Sequence, residues 1–136
     1  MALLSRKGIL AIAAVIDVAL NSQVRPVSAK ALASRQGLPP RHLEPVLQAL
    51  VHEGILRGVR GPRGGYELGR GTESITANEI LRAAGKVDDP AARLPGSRLV
   101  GEVVLPALAQ AERAFASTLS TIHLDELVKR AEKAAS

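Results

Sequence analysis

Residues 58–70 read GVRGPRGGYELGR. Five glycines, three arginines and Tyr66, one of only two aromatic residues in the chain, fall within these thirteen positions. Two readings compete. The stretch is either a loop that cradles the phosphates of a nucleotide cofactor or a tight hairpin with a cationic tip. A Walker loop needs GxxxxGK followed by Ser or Thr, and a dinucleotide fingerprint needs GxGxxG between a strand and a helix. Here the glycines stand at 58, 61, 64, 65, 69 and 71, no Gly-Lys pair follows them, and a strand comes next. The spacing removes the nucleotide reading. In the hairpin, ILRGVR is one strand, GPRGG the turn and YEL the return, with Tyr66 and Leu68 on one face and Glu67 on the other. Glycine permits positive φ in the turn and Pro62 stiffens it. Arg60 and Arg63 then ride on a slim tip that suits a DNA minor groove, where narrow A·T stretches concentrate negative potential.

Upstream lies the context for such a hairpin. Ser28 is placed to cap a short helix, SAKALASRQ, and Gly37 to end it, with Leu32 and Ala33 facing inward. Leu38-Pro39-Pro40 makes a tight turn, and Pro40 suits the first position of the next helix. In RHLEPVLQALVHEG, Leu43, Val46, Leu47 and Leu50 form an apolar stripe, whereas Arg41, Glu44 and Gln48 share another face. Pro45 predicts a late start or a tight first turn, and Gly54 ends the helix. This is a helix-turn-helix. Arg41 and His42 sit at the leading end of its second helix, where side chains reach base edges. Arginine pairs bidentately with guanine, and Glu44 can accept from cytosine N4. Ser28, Lys30 and Arg35 are candidates for phosphate contacts, which position without specifying.

The flanks complete the plan. The N-terminal MALLSRKGILAIAAVIDVALN has a basic pair before an apolar run, but Asp17 interrupts it. Ile9, Ile12, Ile16, Ala19 and Leu20 repeat at helical spacing, so an amphipathic core helix is expected rather than a targeting segment. After the hairpin, Thr76 and Glu79 form a capping box for ANEILRAA. GKVDDPAARLPGSR reads as a linker, with Asp88-Asp89 a solvated pair rather than a metal site. Val100, Val104, Leu108, Ala111, Phe115, Leu119 and Ile122 then make one apolar seam, which must pack on the first helix, on a second copy, or on both. Pro106 is expected to start or kink this helix, and Thr121-Ile122-His123 to break it before LDELVKRAEKAA. The fold class expected is mainly α with a small two-stranded β wing. Residues 1–84 are the winged helix-turn-helix, 85–98 a linker, and 99–136 a dimerisation helix and tail.

Composition narrows the function. Residues 1–75 carry ten Lys and Arg against five Asp and Glu, whereas residues 76–136 carry eight of each. The whole excess charge of +5 therefore lies on the winged part, as a polyanion-binding surface requires. Two aromatics are too few for base stacking on single strands. Absent cysteines exclude disulfides, thiolate metal sites and thiol catalysis, and fit a cytoplasmic chain. No apolar run reaches a membrane span of roughly 18 residues. His42, His52 and His123 show no ligand spacing, so neither an enzyme nor a cofactor is expected. The alternative class is a winged-helix protein-interaction module, but that would not need the basic excess.

The run PVSAKALASRQGLPPRHLEPVLQALVHEGILRGVRGPRGGYELGR, followed by ITANEILRAAG, resembles the Rrf2 family of bacterial transcription regulators over about residues 26–85. The first helix and the closing IHLDELV fit more loosely. The resemblance implies a homodimer on a roughly palindromic operator in double-stranded DNA, recognition helices in major grooves and wings in minor grooves. It implies base reading by Arg41, His42 and Glu44 and a wing arginine at Arg60. Many relatives carry three cysteines after the ITANEI-type helix and hold an iron–sulfur cluster there. This sequence has GKVDDPAARLPGSR at that place, so the cluster-sensing role does not carry over. It also lacks a tyrosine often seen near the start of the first helix.

Overall fold

The computed structural model describes residues 4–85 and 96–135. The acidic pair Asp88-Asp89 and most of the expected linker lie outside the described residues. Helix α1 (Arg6–Asn21) is capped by Ser5, whose Oγ accepts from the Gly8 amide at 3.0 Å. Its core face is Ala11, Ala14, Val15 and Val18, together with Ala19. The face expected from the isoleucines is rotated away from the core centre: Ile12 and Ile16 are half-buried and Ile9 is 44% exposed. The helix is apolar on two sides, and the small alanines take the closer one. There helix α4 (Ala77–Ala84) packs against α1.

Helix α2 (Ala29–Gln36) starts as expected, with Ser28 Oγ accepting from the Ala31 amide at 3.1 Å. Gly37, at φ 68°, ends it in the left-handed conformation. Helix α3 (Pro40–His52) begins at Pro40 and runs through Pro45. Its first turn is tight, the His42 amide donating to the Pro39 carbonyl at 3.0 Å. The start is therefore not delayed. Pro45 is exposed on the outer face, where its ring and missing N–H disturb no core contact. Leu43, Val46, Leu47 and Leu50 are all buried, with Leu32, Ile55 and Ile80 beside them.

Strands β1 (Leu56–Val59) and β2 (Gly65–Leu68) pair antiparallel, Leu56 opposite Leu68 and Val59 opposite Gly65. A third segment joins them. Val27, in the loop before α2, exchanges two backbone hydrogen bonds with Tyr66, at 2.9 and 2.7 Å. Gly65 makes this possible: its φ is +155°, and a Cβ there would meet the Val27 carbonyl oxygen at 2.4 Å. The wing is thereby tied to the helix-turn-helix.

After a 3-10 turn at Thr72–Ser74, Thr76 and Glu79 form the expected capping box on α4. A π-helical stretch at Leu99–Val104 leads into α5 (Leu105–Leu119), with Pro106 in its first turn. The chain breaks at Ser120–His123 and continues as α6 (Leu124–Ala135). Residues around His123 fasten this end to the winged unit. The Ala77 amide donates to the Ile122 carbonyl and the Leu124 amide to the Ile75 carbonyl, both at 2.8 Å, and His123 Nδ1 lies 3.1 Å from the Glu73 carbonyl oxygen. Helix α6 packs on α1, and Leu124 is wholly buried. Helix α5, by contrast, has no buried residue.

Candidate nucleic-acid interface

The start of α3 presents Arg41, His42, Glu44 and Gln48 to solvent, because the stripe through Leu43 and Leu47 turns the opposite side into the core. Glu44 lies close enough to the wing for its carboxylate to act on Tyr66. The Tyr66 phenol is held above its ordinary range, chiefly by burial and further by the Glu44 charge. The outer face of α3 and strand β2 thus share one electrostatic environment.

Ion pairing sorts the cations of the winged unit into two sets. Arg35 gives two hydrogen bonds of 2.7 Å to the Asp17 carboxylate, linking α2 to α1, and this pairing raises its pKa further. Arg57 at the base of the wing pairs with Glu67 directly across the ladder, Nε to Oε1 at 2.8 Å. Arg70 holds Glu79 at 2.9 Å and the Ser74 carbonyl at 3.2 Å. The second set has no such partner among the described residues: Arg6 and Arg82, together with Arg25, Lys30, Arg41, Arg60 and Arg63. The last five are exposed and lie on the loop before α2, on α2, at the head of α3 and at the wing tip, whereas Arg6 and Arg82 sit on α1 and α4. Paired arginines hold the unit together, and unpaired ones are available to an outside anion.

Sequence reasoning singled out four of these five and missed Arg25, which stood in an undifferentiated loop, NSQVRPV. The Arg35 guanidinium, expected to face a phosphate, has its Nε and Nη2 committed to Asp17. Ser28 Oγ serves as the cap acceptor, leaving its hydroxyl hydrogen to donate.

Residues 4–130 match the model of the Rrf2 family, described as an iron-dependent transcriptional regulator. The HTH-type transcriptional regulator IscR of Escherichia coli (strain K12 / DH10B) is 41% identical over 80 residues, covering 59% of this chain and 49% of that protein. The chain spans about half the length of the curated relatives it matches. Among solved structures, IscR of T. potens superposes with a TM-score of 0.74 at 29% identity, over 98% of this chain and 90% of that one. CymR, the global cysteine regulator of B. subtilis, gives 0.69 at 25% identity, over 93% and 96%.

The iron in that family description finds no matching donors among the described residues. A thiolate-held cluster needs cysteines, and the chain has none. Among the described residues, no three His, Asp or Glu side chains gather as a metal site. No helix of the described residues is long and apolar enough to cross a membrane. The match over nearly the whole chain, the winged helix-turn-helix and its exposed cationic face lead to one assignment: the chain belongs to the Rrf2 family of transcriptional regulators.

Proposed function

We propose that the protein binds double-stranded DNA sequence-specifically as a homodimer and represses transcription by occupying a roughly palindromic operator. The observation that carries this reading is the sorting of the arginines. Cations that pair internally lie within and between elements; of the seven left unpaired among the described residues, five lie on the loop before α2, on α2, at the head of α3 and at the wing tip, and Arg6 and Arg82 lie elsewhere, on α1 and α4. Helix α3 enters the major groove with Arg41, His42 and Glu44 at base edges, and Arg60 reaches the minor groove. Lys30 and the Ser28 hydroxyl contact phosphates, whereas Arg35 chiefly orients α2 through Asp17. The exposed apolar face of α5 supports a second copy as its cover. Residues 1–84 serve DNA, and within residues 99–136 α5 serves dimerisation while α6 packs back on α1.

The test is an affinity series on an operator selected from random duplexes. Arg41→Ala should cost about 1–3 kcal/mol and relax base preference at one position per half-site. Arg60→Ala should weaken binding mainly to A·T-flanked sites. Parent-like binding by both variants contradicts the docking.

A further inference from the structure

Between the wing tip and the loop before α2 lies a cleft of about 620 Å³. Arg25 and Ser28 stand on one side, Pro62 and Arg63 on the other, with Asn21 and Arg35 completing the wall. No acidic residue lines it. Arg35 is neutralised by Asp17, but Arg25 and Arg63 have no partner among the described residues. The Val27–Tyr66 hydrogen bonds hold the two walls in register, so these two cations belong to one cavity although 38 positions apart in the chain. Arg60, the other tip arginine, does not line it.

We infer that this cleft seats a phosphate of the DNA backbone, with Arg25 and Arg63 as its cationic walls and the Ser28 hydroxyl as a further donor. The inference rests on the DNA-binding reading above and divides the wing tip between two tasks: Arg60 to the groove, Arg63 to the backbone. The shared chemistry is a phosphate monoanion, which a free anion also carries. Two features favour the backbone. Arg25, Ser28, Arg35, Pro62 and Arg63 are all exposed, so the cleft is open and suits a chain passing through it better than a small ion held by itself. It also adjoins α2 and the wing, which carry Lys30 and Arg60, so one polyanion can meet all these cations together.

The test measures the affinity of the full chain for its selected operator and for a random duplex across a salt series. The variants are Arg25→Ala with Arg63→Ala, the lysine pair Arg25→Lys with Arg63→Lys, and Arg60→Ala. The alanine pair should weaken both duplexes by the same factor, about tenfold. It should also lower the slope of log affinity against log salt by about one per bound protomer. The lysine pair should keep the slope, and Arg60→Ala should show a loss that depends on A·T content. An unchanged affinity and slope in the alanine pair overturns the inference, as does a loss confined to A·T-rich duplexes, which would return Arg63 to the groove. Inorganic phosphate that raises the melting temperature of the parent but not of the alanine pair, with DNA binding unaltered, overturns it in favour of a free-anion site. A parent that binds operator and random duplex equally defeats sequence-specific reading, yet leaves the salt comparison intact, so the two failures are distinguishable.

Discussion

Leu43, Val46, Leu47 and Leu50 of α3 are each no more than 2% exposed, whereas Leu99, Val103, Val104, Leu105 and Leu108 around the start of α5 are 44–70% exposed. Both sets are aliphatic and both lie on helices. The first is sealed by α1, α2, α4 and the wing, in a core that Leu124 of α6 also enters. The second has no cover among the described residues, and its apolar band is wider than the seam of Val100, Val104 and Leu108 alone. Apolar area left in water costs roughly 25 cal/mol per Å². Such a surface on a helix that otherwise touches mainly α4 supports a function outside the protomer. The same division runs through the charges: internal ion pairs brace the winged unit, and unpaired cations face outward.

The contrast breaks most visibly if the α5 face proves idle. Leu105→Glu with Leu108→Glu should leave the helical signal of the winged unit intact and convert the protein to a monomer in sedimentation. Loss of the linked second half-site should then lower operator affinity by about 10²–10⁴-fold. A sealed-core change should behave in the opposite way. Leu47→Ala should cost about 2–5 kcal/mol in denaturant unfolding, since nothing exposed can collapse into its place. The smallest effect sharpens the link between α3 and the wing. Tyr66 is the only tyrosine, so tyrosinate absorbance reports it alone. Its phenol should titrate above the ordinary tyrosine range, and Glu44→Gln should move the midpoint down without restoring the ordinary value, because burial is the larger cause. An unmoved midpoint would separate Glu44 from the wing.

Local chemistry made much of this fold legible. The Ser28 cap, the Gly37 stop and the Thr76–Glu79 capping box each lie within a few residues of what they satisfy, and each stands where the spacing predicts. The α1 core face is only partly legible: Ala19 is buried and Ile12 and Ile16 pack at the core's edge, but bulky isoleucines dominate a periodicity count whereas contact distance rewards small side chains. A Cβ at Gly8 would already meet Leu81 Cδ2 at 2.5 Å. Non-local pairings left no trace in spacing. Asp17–Arg35 joins positions 18 apart, and Val27–Tyr66 joins a loop to a strand across the whole helix-turn-helix. The candidate site was therefore legible as a set of residue types. Which arginines are free and which are braced emerged only from the packed molecule.

Selection from random duplex DNA by the full chain tests the central claim most directly. Enrichment of an inverted repeat is predicted, with half-sites spaced by about one helical turn or a multiple of it and A·T-rich steps where the wings fall. Recovery of no preferred sequence, or of a single unpaired site bound by one protomer, would contradict it.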